Sequence, residues 1–473
     1  MMNILKVGDL MENSKGVIAL ILAAGAGTRM KSQMPKVLHE ICGKPMLQHV
    51  IEQAEDLQVE KTIIVIGNGA EQVKETIGEK VDYVYQKEQL GTGHAVMEAE
   101  GLFKDYRGNI LLLYGDTPLI TAKSLKSFIQ YHEENNFAAT VLTAKVQDAT
   151  GYGRIIRNIK GNIEAIVEHK DANEEQLKIN EINSGMYYFK SELLCHALKH
   201  LTNDNIQGEY YITDTIEILN KEGYNIGGYT IEQADEIKGV NSRVQLAQAE
   251  AYMRKNINEY WMEQGVTMID PNTSYIHKDV IIGQDTIIYP GVQLEGNTII
   301  GSNCTIGANC RIISSTIGDN VEIQFSTILD SLIKNSAKIG PYAYIRPNCN
   351  IGENVKIGDF VEVKNSTIGN NSKASHLTYV GDAEVGEGVN LGCGVVFVNY
   401  DGKKKHKTVV RDNVFVGCNA NLVAPVEVKE GSYIAAGSTI TDEVPPKALA
   451  IARARQVNKE GWKGINKKDT KDK

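Results

Sequence analysis

Two sets of residues in this sequence have the types and spacing to do chemistry. The first is "LILAAGAGTRMKSQMPK", Leu20 to Lys36, in which an apolar run breaks into Gly25 and Gly27 and is followed by Arg29, Lys31 and Lys36. Glycines let backbone N–H groups approach an anion closely. With Arg29 and Lys36 beside it, such a loop is suited to neutralising a triphosphate. Two familiar loops are excluded. No Gly-Lys-Ser/Thr follows, so this is not a Walker loop. Met30 stands where a dinucleotide fingerprint needs its third glycine, and the next apolar run ends at Gly67-Asn68 rather than at an acidic residue for a ribose. "LLLYGDTPLI" adds a carboxylate, Asp116, directly after an apolar run that Thr117-Pro118 closes. A lone strand-end Asp is commonly an N-cap or turn residue. Beside a phosphate loop it is also where Mg²⁺ would be held, and that reading is favoured here.

The second set lies far downstream. His376 is followed by Leu377-Thr378-Tyr379, with Arg346 and Lys364 earlier and Asn390 and Asn399-Tyr400 later. A lone His is more often structural than catalytic. Two cations able to clamp a phosphate change the balance. Acyl transfer from a thioester to an amine needs a base for the ammonium proton, and imidazole, with a reference pKa of about 6.5, suits that near neutral pH.

The elements that must position these residues differ between the two halves. From Val17 to about Val240 short apolar runs ("VIALIL", "KTIIVIG", "VDYVYQ", "NILLLYGD", "AATVLTAKV") alternate with amphipathic stretches such as "MLQHVIEQAEDL" and "AKSLKSFIQYHEENN". That alternation predicts an α/β domain with a mainly parallel sheet. Ligands of such sheets bind beyond the carboxyl ends of the strands, which directs attention to the loops after Leu22 and Tyr114. Asn241 to Gly265 has neither Pro nor Gly before its last residue and predicts a helix joining two domains.

From about Ile276 an aliphatic residue recurs every six positions, often followed by Gly, as in Ile333, Ile339, Ile345, Ile351, Ile357 and Val363. The register slips by one at Ile368 and again at Val385, and resumes with Val416, Leu422, Val428, Ile434 and Ile440. A fixed short period means a stacked solenoid. Six residues make one short strand and a turn, with the aliphatic side chain inward. The stretch around His376 is expected to interrupt the register. "FVNYDGKKKHKT", Phe397 to Thr408, reads as an inserted loop of the kind that projects on a binding face.

Composition narrows the classes. A 473-residue chain suggests two or three domains. The net charge of −9 argues against a nucleic-acid partner. Seven widely spaced Cys without a Cys-x-x-Cys pair support neither a disulfide framework nor a zinc ribbon, and fit reduced thiols in a cytoplasm. The start "MMNILKVGDLMENSKG" lacks the pattern of a signal peptide, and no run is apolar enough to span a membrane.

"LAAGAGTRM…PKVL", "GTGHA", "GDTPLI", "GYGRI", "INSGMY" and "GVN", in that order, resemble the sugar-phosphate nucleotidylyltransferases. With the hexapeptide half, the chain from about 16 to 460 resembles the bacterial bifunctional N-acetylglucosamine-1-phosphate uridylyltransferase/glucosamine-1-phosphate acetyltransferase family. The resemblance implies a Rossmann-like nucleotidyltransferase domain (16–241) after an N-terminal extension (1–15). A linker helix (242–265), a left-handed parallel β-helix (266–460) and a charged tail (461–473) would follow. It implies that Leu22, Ala23, Ala24, Gly25, Arg29 and Lys36 grip UTP, and that Gln86, Gly91 and Thr92 read the uracil. Gly153, Glu168 and Asn183 would hold the sugar, and Asp116 with Asn241 would bind Mg²⁺ or Mn²⁺. In the second half His376 would be the base. Arg346 and Lys364 would bind the phosphate of glucosamine 1-phosphate, and Tyr379 and Asn390 its sugar. Acetyl-CoA would lie along Cys393, Asn399, Tyr400, Cys418, Ala436 and Arg453. Cys393 and Cys418 fall where the family pattern often has other small residues. The resemblance also implies a homotrimer with acetyl sites between subunits, and a product, UDP-N-acetylglucosamine, that feeds cell-envelope polysaccharides.

Three rivals are weighed against this reading. A nucleotidylyltransferase whose solenoid only oligomerises or regulates would not need His376, Arg346, Lys364 and the insertion together. A zinc hexapeptide enzyme of carbonic-anhydrase type needs close His pairs, whereas the solenoid holds only His277, His376 and His406. A non-catalytic scaffold leaves the loop cations and Asp116 unexplained.

Overall fold

The computed structural model describes residues 16–462. The expected extension 1–15 lies outside them, as does the tail from residue 463 on. The chain forms two compact units that part between Met253 and Arg254.

In the first unit the apolar runs form the strands β1 (Val17–Leu22), β2 (Lys61–Ile66), β3 (Asp82–Tyr85), β4 (Asn109–Tyr114) and β5 (Ala139–Lys145). A hairpin follows, β6 (Arg154–Arg157) and β7 (Ile163–Val167), then β8 (Glu181–Lys190) and β9 (Ile226–Thr230). The main path runs β9-β5-β8-β4-β1-β2-β3, and the hairpin joins through β6 on β8. On that path β8 alone runs against its neighbours. The expected sheet is therefore right in its five named strands, which run parallel, and it lacked β8, β9 and the hairpin. "VIALIL" is apolar throughout because both faces of the sheet are covered. Leu20 and Leu22 join one buried cluster while Ile21 and Ala23 join the other.

The helices that cover the sheet include α1 (Met46–Asp56), α2 (Ala70–Ile77), α3 (Thr92–Ala99), α4 (Ala122–Asn135), α5 (Ser191–Leu198) and α6 (Asp214–Lys221). In register, Leu22 pairs with Val65 on one side and Tyr114 on the other. The carboxyl ends of three parallel strands thus meet at one edge, where the glycine loop and Asp116 emerge. The expected joining helix is α7 (Arg243–Glu263).

The second unit is a parallel β-helix. Its short strands stack into three sheets of 11, 10 and 9 strands, which the chain visits in turn. Ile288, Ile306, Ile323, Ile339 and Ile357 form one fully buried inward column on consecutive coils. Corners are turned by residues in the left-handed conformation, many of them Asn, such as Asn303, Asn309, Asn354 and Asn371, which tolerates it best after Gly. The coil begins at Thr267–Met268, paired with Ile287–Ile288 and earlier than the visible period, because "VTMIDPNT" carries no Ile-Gly signature. The expected interruption around His376 is corrected. Ala374 and Val380 are inward and buried, and the coil runs on without a break. Alanine and valine in those positions do not stand out in the sequence as Ile-Gly does.

Candidate active sites

Beyond the ends of β1, β2 and β4 lies a cavity of about 290 Å³. Leu22, Ala23, Ala24, Gly25, Lys36, Gln86, Gly91, Thr92 and Asp116 line it, with Gln89, Tyr114 and Glu209, which the sequence reading missed. Arg29 is not on its wall. It is exposed on the short 3-10 turn Thr28–Met30. At Gly25 a Cβ would meet nothing within 4 Å beyond its chain neighbours. Packing against the protein does not demand a glycine there, and the loop backbone is open on that side. Gly91 differs. At φ 108° its Cβ would fall 2.5 Å from the Tyr210 carbonyl oxygen, so glycine is needed to seat α3. Gln86 is buried, and its Nε2 donates to the Gly91 carbonyl at 3.1 Å.

Lys36 crosses the cavity mouth to pair with Asp116, and its Nζ donates to Asn241 Oδ1 at 3.0 Å. The Val240 N–H donates to the Asp116 carbonyl at 2.8 Å, which ties the segment before α7 to the end of β4. Three residues spread over 205 positions thereby converge. A second group sits beside it. The Asn183 N–H donates to the Gly153 carbonyl at 2.9 Å, and Glu168 Oε1 lies 3.5 Å from where a Gly153 Cβ would stand. Burial raises the Glu168 pKa, and Asp214 adds to this. Burial also pushes Asp214 up to about 6, helped by Glu217 and Asp171. Tyr114 links the groups: burial raises its phenol, and Glu168 and Asp116 push it in the same direction.

In the β-helix, register brings distant residues into columns. Asp359 and His376 occupy the same position on consecutive coils, with Nδ1 2.5 Å from Oδ1. The hydrogen bond from His376 holds Asp359 below the usual carboxylate range. The same corner continues upward. The Asn419 N–H donates to the Cys393 carbonyl at 2.7 Å, the Gly437 N–H to Cys418 at 2.9 Å, and Arg453 Nη1 to Ala436 at 2.9 Å. Cys393, Cys418, Ala436 and Arg453 therefore form a ladder beyond His376.

Across the adjoining sheet the Arg346 N–H bonds the Val363 carbonyl, one rung below Lys364, which pairs with Gly381. Arg346 is held by Glu362 at 2.9 Å and Lys364 by Asp382 at 3.2 Å. Asn399 Nδ2 donates to Asp382 at 2.6 Å and to the Tyr379 hydroxyl at 3.3 Å. Burial raises Asp382, but hydrogen bonds from Asn365, Lys364 and Asn399 outweigh it and the carboxylate stays low. Lys405 from the insertion is pushed below its ordinary range by the neighbouring Lys364 ammonium. Like charges so close leave positive potential for an anion. Two candidates lie away from Lys364 and Tyr379. Tyr400 is exposed on the insertion, bridged to Lys405. Asn390 is on the sheet of Asp359 and His376, one coil further on, paired with Lys373 and Phe415. Asp359, Asp382 and Lys405 were missed, because each reads as an ordinary turn or loop residue until the coils are stacked.

A nucleotide-type α/β unit followed by a hexapeptide β-helix, each with its own cluster of charged side chains, defines a two-site transferase. Residues 18–267 match the nucleotidyl transferase family and residues 407–442 the bacterial transferase hexapeptide repeats. Residues 258–363 match the EIF2B subunit epsilon LbH domain, and residues 327–400 the GMPPB C-terminal domain. The chain is 58% identical to the bifunctional protein GlmU of Alkaliphilus oremlandii, over 95% of this chain and 99% of that one. It is 56% identical to that of Clostridioides difficile (96% and 98%) and 54% identical to that of Shouchella clausii (94% and 98%). The chain belongs to the bifunctional GlmU family. It is a bifunctional transferase of UDP-N-acetylglucosamine synthesis, a uridylyltransferase and an acetyltransferase, and its β-helix is the left-handed kind. Among the described residues no helix is long and apolar enough to cross a membrane.

Proposed function

We propose that the unit 16–241 transfers uridylyl from UTP to N-acetylglucosamine 1-phosphate. We further propose that the β-helix over 266–460 first makes that acceptor from glucosamine 1-phosphate and acetyl-CoA, the helix 242–265 joining the two. The observation that carries the assignment is the Asp359–His376 pair at the end of its strands, with Arg346 and Lys364 across the next sheet that the coil visits and Lys405 of the insertion beside Lys364. With Nδ1 committed to Asp359, His376 Nε2 keeps a lone pair facing outward. It accepts the proton of the attacking amine while the new C–N bond forms and the C–S bond of the thioester breaks. The sugar phosphate is held by Arg346, Lys364 and Lys405, with Tyr379 and Asn390 on the ring. Acetyl-CoA follows the ladder Cys393, Cys418, Ala436 and Arg453, with Asn399 and Tyr400 on the insertion.

In the first unit Leu22 to Gly25 and Lys36 hold the UTP phosphates; Arg29, off the cavity wall on the exposed turn after the loop, would have to swing inward to join them. Gln86, Gly91 and Thr92 contact the base, and Gly153, Glu168 and Asn183 the sugar. The acceptor phosphate oxygen bonds to the α-phosphorus as the bond to pyrophosphate breaks, so the protein's task is to align and neutralise two anions. Asp116 and Asn241 already direct hard oxygen donors at a cation, the Lys36 ammonium, a donor set that fits Mg²⁺, or Mn²⁺ in its place. When bound, that ion supplies charge neutralisation at the phosphates.

A homotrimer is part of this reading. Phe325, Tyr342, Phe360 and Leu377 are all exposed and all in the left-handed conformation, which costs bulky residues about 1 kcal/mol or more each. The Tyr342 and Phe360 rings stack 5.4 Å apart, and Phe360 and Leu377 directly follow Asp359 and His376. An apolar ladder beside the base is explained by a second copy covering it. Asn390, remote from Tyr379 in one chain, would then serve a neighbour's site. Seven widely spaced Cys without a Cys-x-x-Cys pair agree with a cytoplasmic enzyme. The reading is tested by incubating the purified chain with glucosamine 1-phosphate, acetyl-CoA and UTP. UDP-N-acetylglucosamine should form only when all three are present; its formation without acetyl-CoA would overturn the two-step order.

A further inference from the structure

On the first unit, outside the cavity, His196, His200 and Glu222 converge so that one ligand atom of each lies within 4.8 Å of the other two. We propose that these three side chains form a binding site for a borderline transition-metal ion of the Zn²⁺ class, separate from the cradle at Asp116. His196 lies on α5, and Glu222 follows the last residue of α6. Both Glu222 oxygens stand 2.9 Å from His196 Nε2, and the two imidazole rings are 4.8 Å apart.

His200 supplies an independent indication. Its Nδ1 meets the His196 backbone carbonyl at 3.0 Å, so Nδ1 carries the hydrogen and Nε2 is left with the lone pair. Fixing one ring nitrogen on a carbonyl is how proteins orient a histidine that binds metal through the other. A surface His–carboxylate pair needs only two members. The third, His200, turns its ring to the same point without bonding Glu222.

Donor chemistry selects the ion. Two imidazole nitrogens and one carboxylate suit Zn²⁺, Co²⁺ or Ni²⁺, whereas Mg²⁺ prefers an all-oxygen shell. With Zn–N and Zn–O bonds of about 2.0–2.2 Å, ligand atoms must draw closer than 4.8 Å, a change within reach of exposed rotamers. On binding, the metal–nitrogen bond forms at His196 Nε2 as the hydrogen it shares with Glu222 is given up to solvent, and the ring keeps, or takes up from solvent, a hydrogen on Nδ1 so that it coordinates as neutral imidazole. Three protein ligands leave a fourth position for water. The ion would clamp the end of α5 to the end of α6. It thereby braces the pair of helices that lead from β8, which carries Asn183, and to Asp214, beside Glu168.

The test uses the full chain, freed of metal by chelation and kept in Mg²⁺ buffer. Zn²⁺ is titrated calorimetrically, and Co²⁺ is followed by its visible absorption, for the wild type, a His196→Ala/His200→Ala double variant and Glu222→Gln. The wild type should bind one equivalent more than the double variant and gain melting temperature with Zn²⁺ where the double variant does not. Glu222→Gln should weaken that equivalent roughly 10- to 100-fold. Zinc taken up by thiols or by His376 is common to all three proteins and cancels in the comparison. Equal stoichiometry, equal Co²⁺ spectra and equal Zn²⁺-induced melting shifts in all three would overturn the site. Melting in chelator alone reports whether each variant is folded, and Glu222→Gln decides the matter if the double variant is not.

Discussion

Asp359 and His376 are 17 residues apart in sequence and directly stacked in space, one coil above the other, with a carboxylate oxygen 2.5 Å from Nδ1. The carboxylate fixes which nitrogen carries the hydrogen and stabilises the imidazolium that forms when Nε2 takes a proton. Asp359→Asn keeps the shape and loses the charge. Acetyl transfer should fall about 10- to 100-fold, within the 10²–10⁴-fold worth of the base itself. His376→Ala should cost that whole factor. Both losses should appear in kcat, with uridylyl transfer from supplied N-acetylglucosamine 1-phosphate unchanged, in two separate assays on each purified variant. Acetyl transfer within a few-fold of wild type in a folded His376→Ala protein would remove His376 as the base.

Lys364 is nearly buried against Asp382 and beside Lys405. Lys364→Ala takes away one phosphate ligand and leaves Asp382 facing the incoming anion. The KM for glucosamine 1-phosphate in the acetyl assay should rise about tenfold or more, while kcat changes less, because the contact holds the same group in ground and transition states. An effect confined to kcat would place Lys364 nearer the reacting atoms than proposed.

Where the two faces of an element share one environment, the sequence was easy to read. "VIALIL" is apolar at every position because β1 is covered on both sides, and the Ile column of the β-helix repeats because every coil buries the same position. β8 was hidden by Asn183-Ser184-Gly185 in its middle, where a bulge shifts the pairing between Asn183 and Tyr187. Asp359 reads as a turn residue in "KIGDFV", and Lys405 as one of a run of solvated cations. Their roles arise only when coils stack or the insertion folds back. His376, Lys364, Asp116 and the glycine loop were legible because their types are unusual for their places. Arg29, read with the same loop, is exposed and off the cavity wall.

Asp116 and Asn241 are bound to the same ammonium group. Asp116→Asn retains a polar side chain of the same size but removes the only negative charge of that trio. Uridylyl transfer should drop by about 10²-fold or more, since the phosphates lose their aligning cation. Acetyl transfer should persist. Equal loss of both activities, accompanied by a lowered melting temperature, would make Asp116 a structural residue.

Asp214 opens α6, where a negative charge is normally welcome, yet burial and the nearby Glu217 and Asp171 raise its pKa from 3.8 to about 6. Its protonated form is therefore favoured by folding. The stability this provides is full below about pH 4 and is lost as the pH rises through 6. Asp214→Asn should melt at nearly the same temperature as wild type near pH 4 and higher than wild type at pH 8. The gain should be on the order of 1 kcal/mol once solvent screening is discounted. Thermal melts of both proteins across that range check the sign; a variant less stable at pH 8 than wild type would mean that the ionised carboxylate is an asset to the fold.

Gly25 separates folding from function more sharply than any other residue of the first site. Beyond the residue itself and its two chain neighbours, no heavy atom of the protein lies within 4 Å of where its Cβ would be, and its φ is not in the left-handed range. Gly25→Ala should therefore leave the melting temperature within about a degree or two of wild type, since neither strain nor a clash is introduced. The methyl group would occupy the cavity lined by Ala24, Lys36 and Asp116, on the side from which phosphates approach the backbone. The KM for UTP should rise by about tenfold or more, the cost of holding an anion off its N–H donors. The KM for N-acetylglucosamine 1-phosphate should move less, because Gly153, Glu168 and Asn183 are untouched. The two constants, measured by varying one substrate at saturating levels of the other, give the answer directly. A variant that binds UTP normally would show that the nucleotide does not pass over this loop.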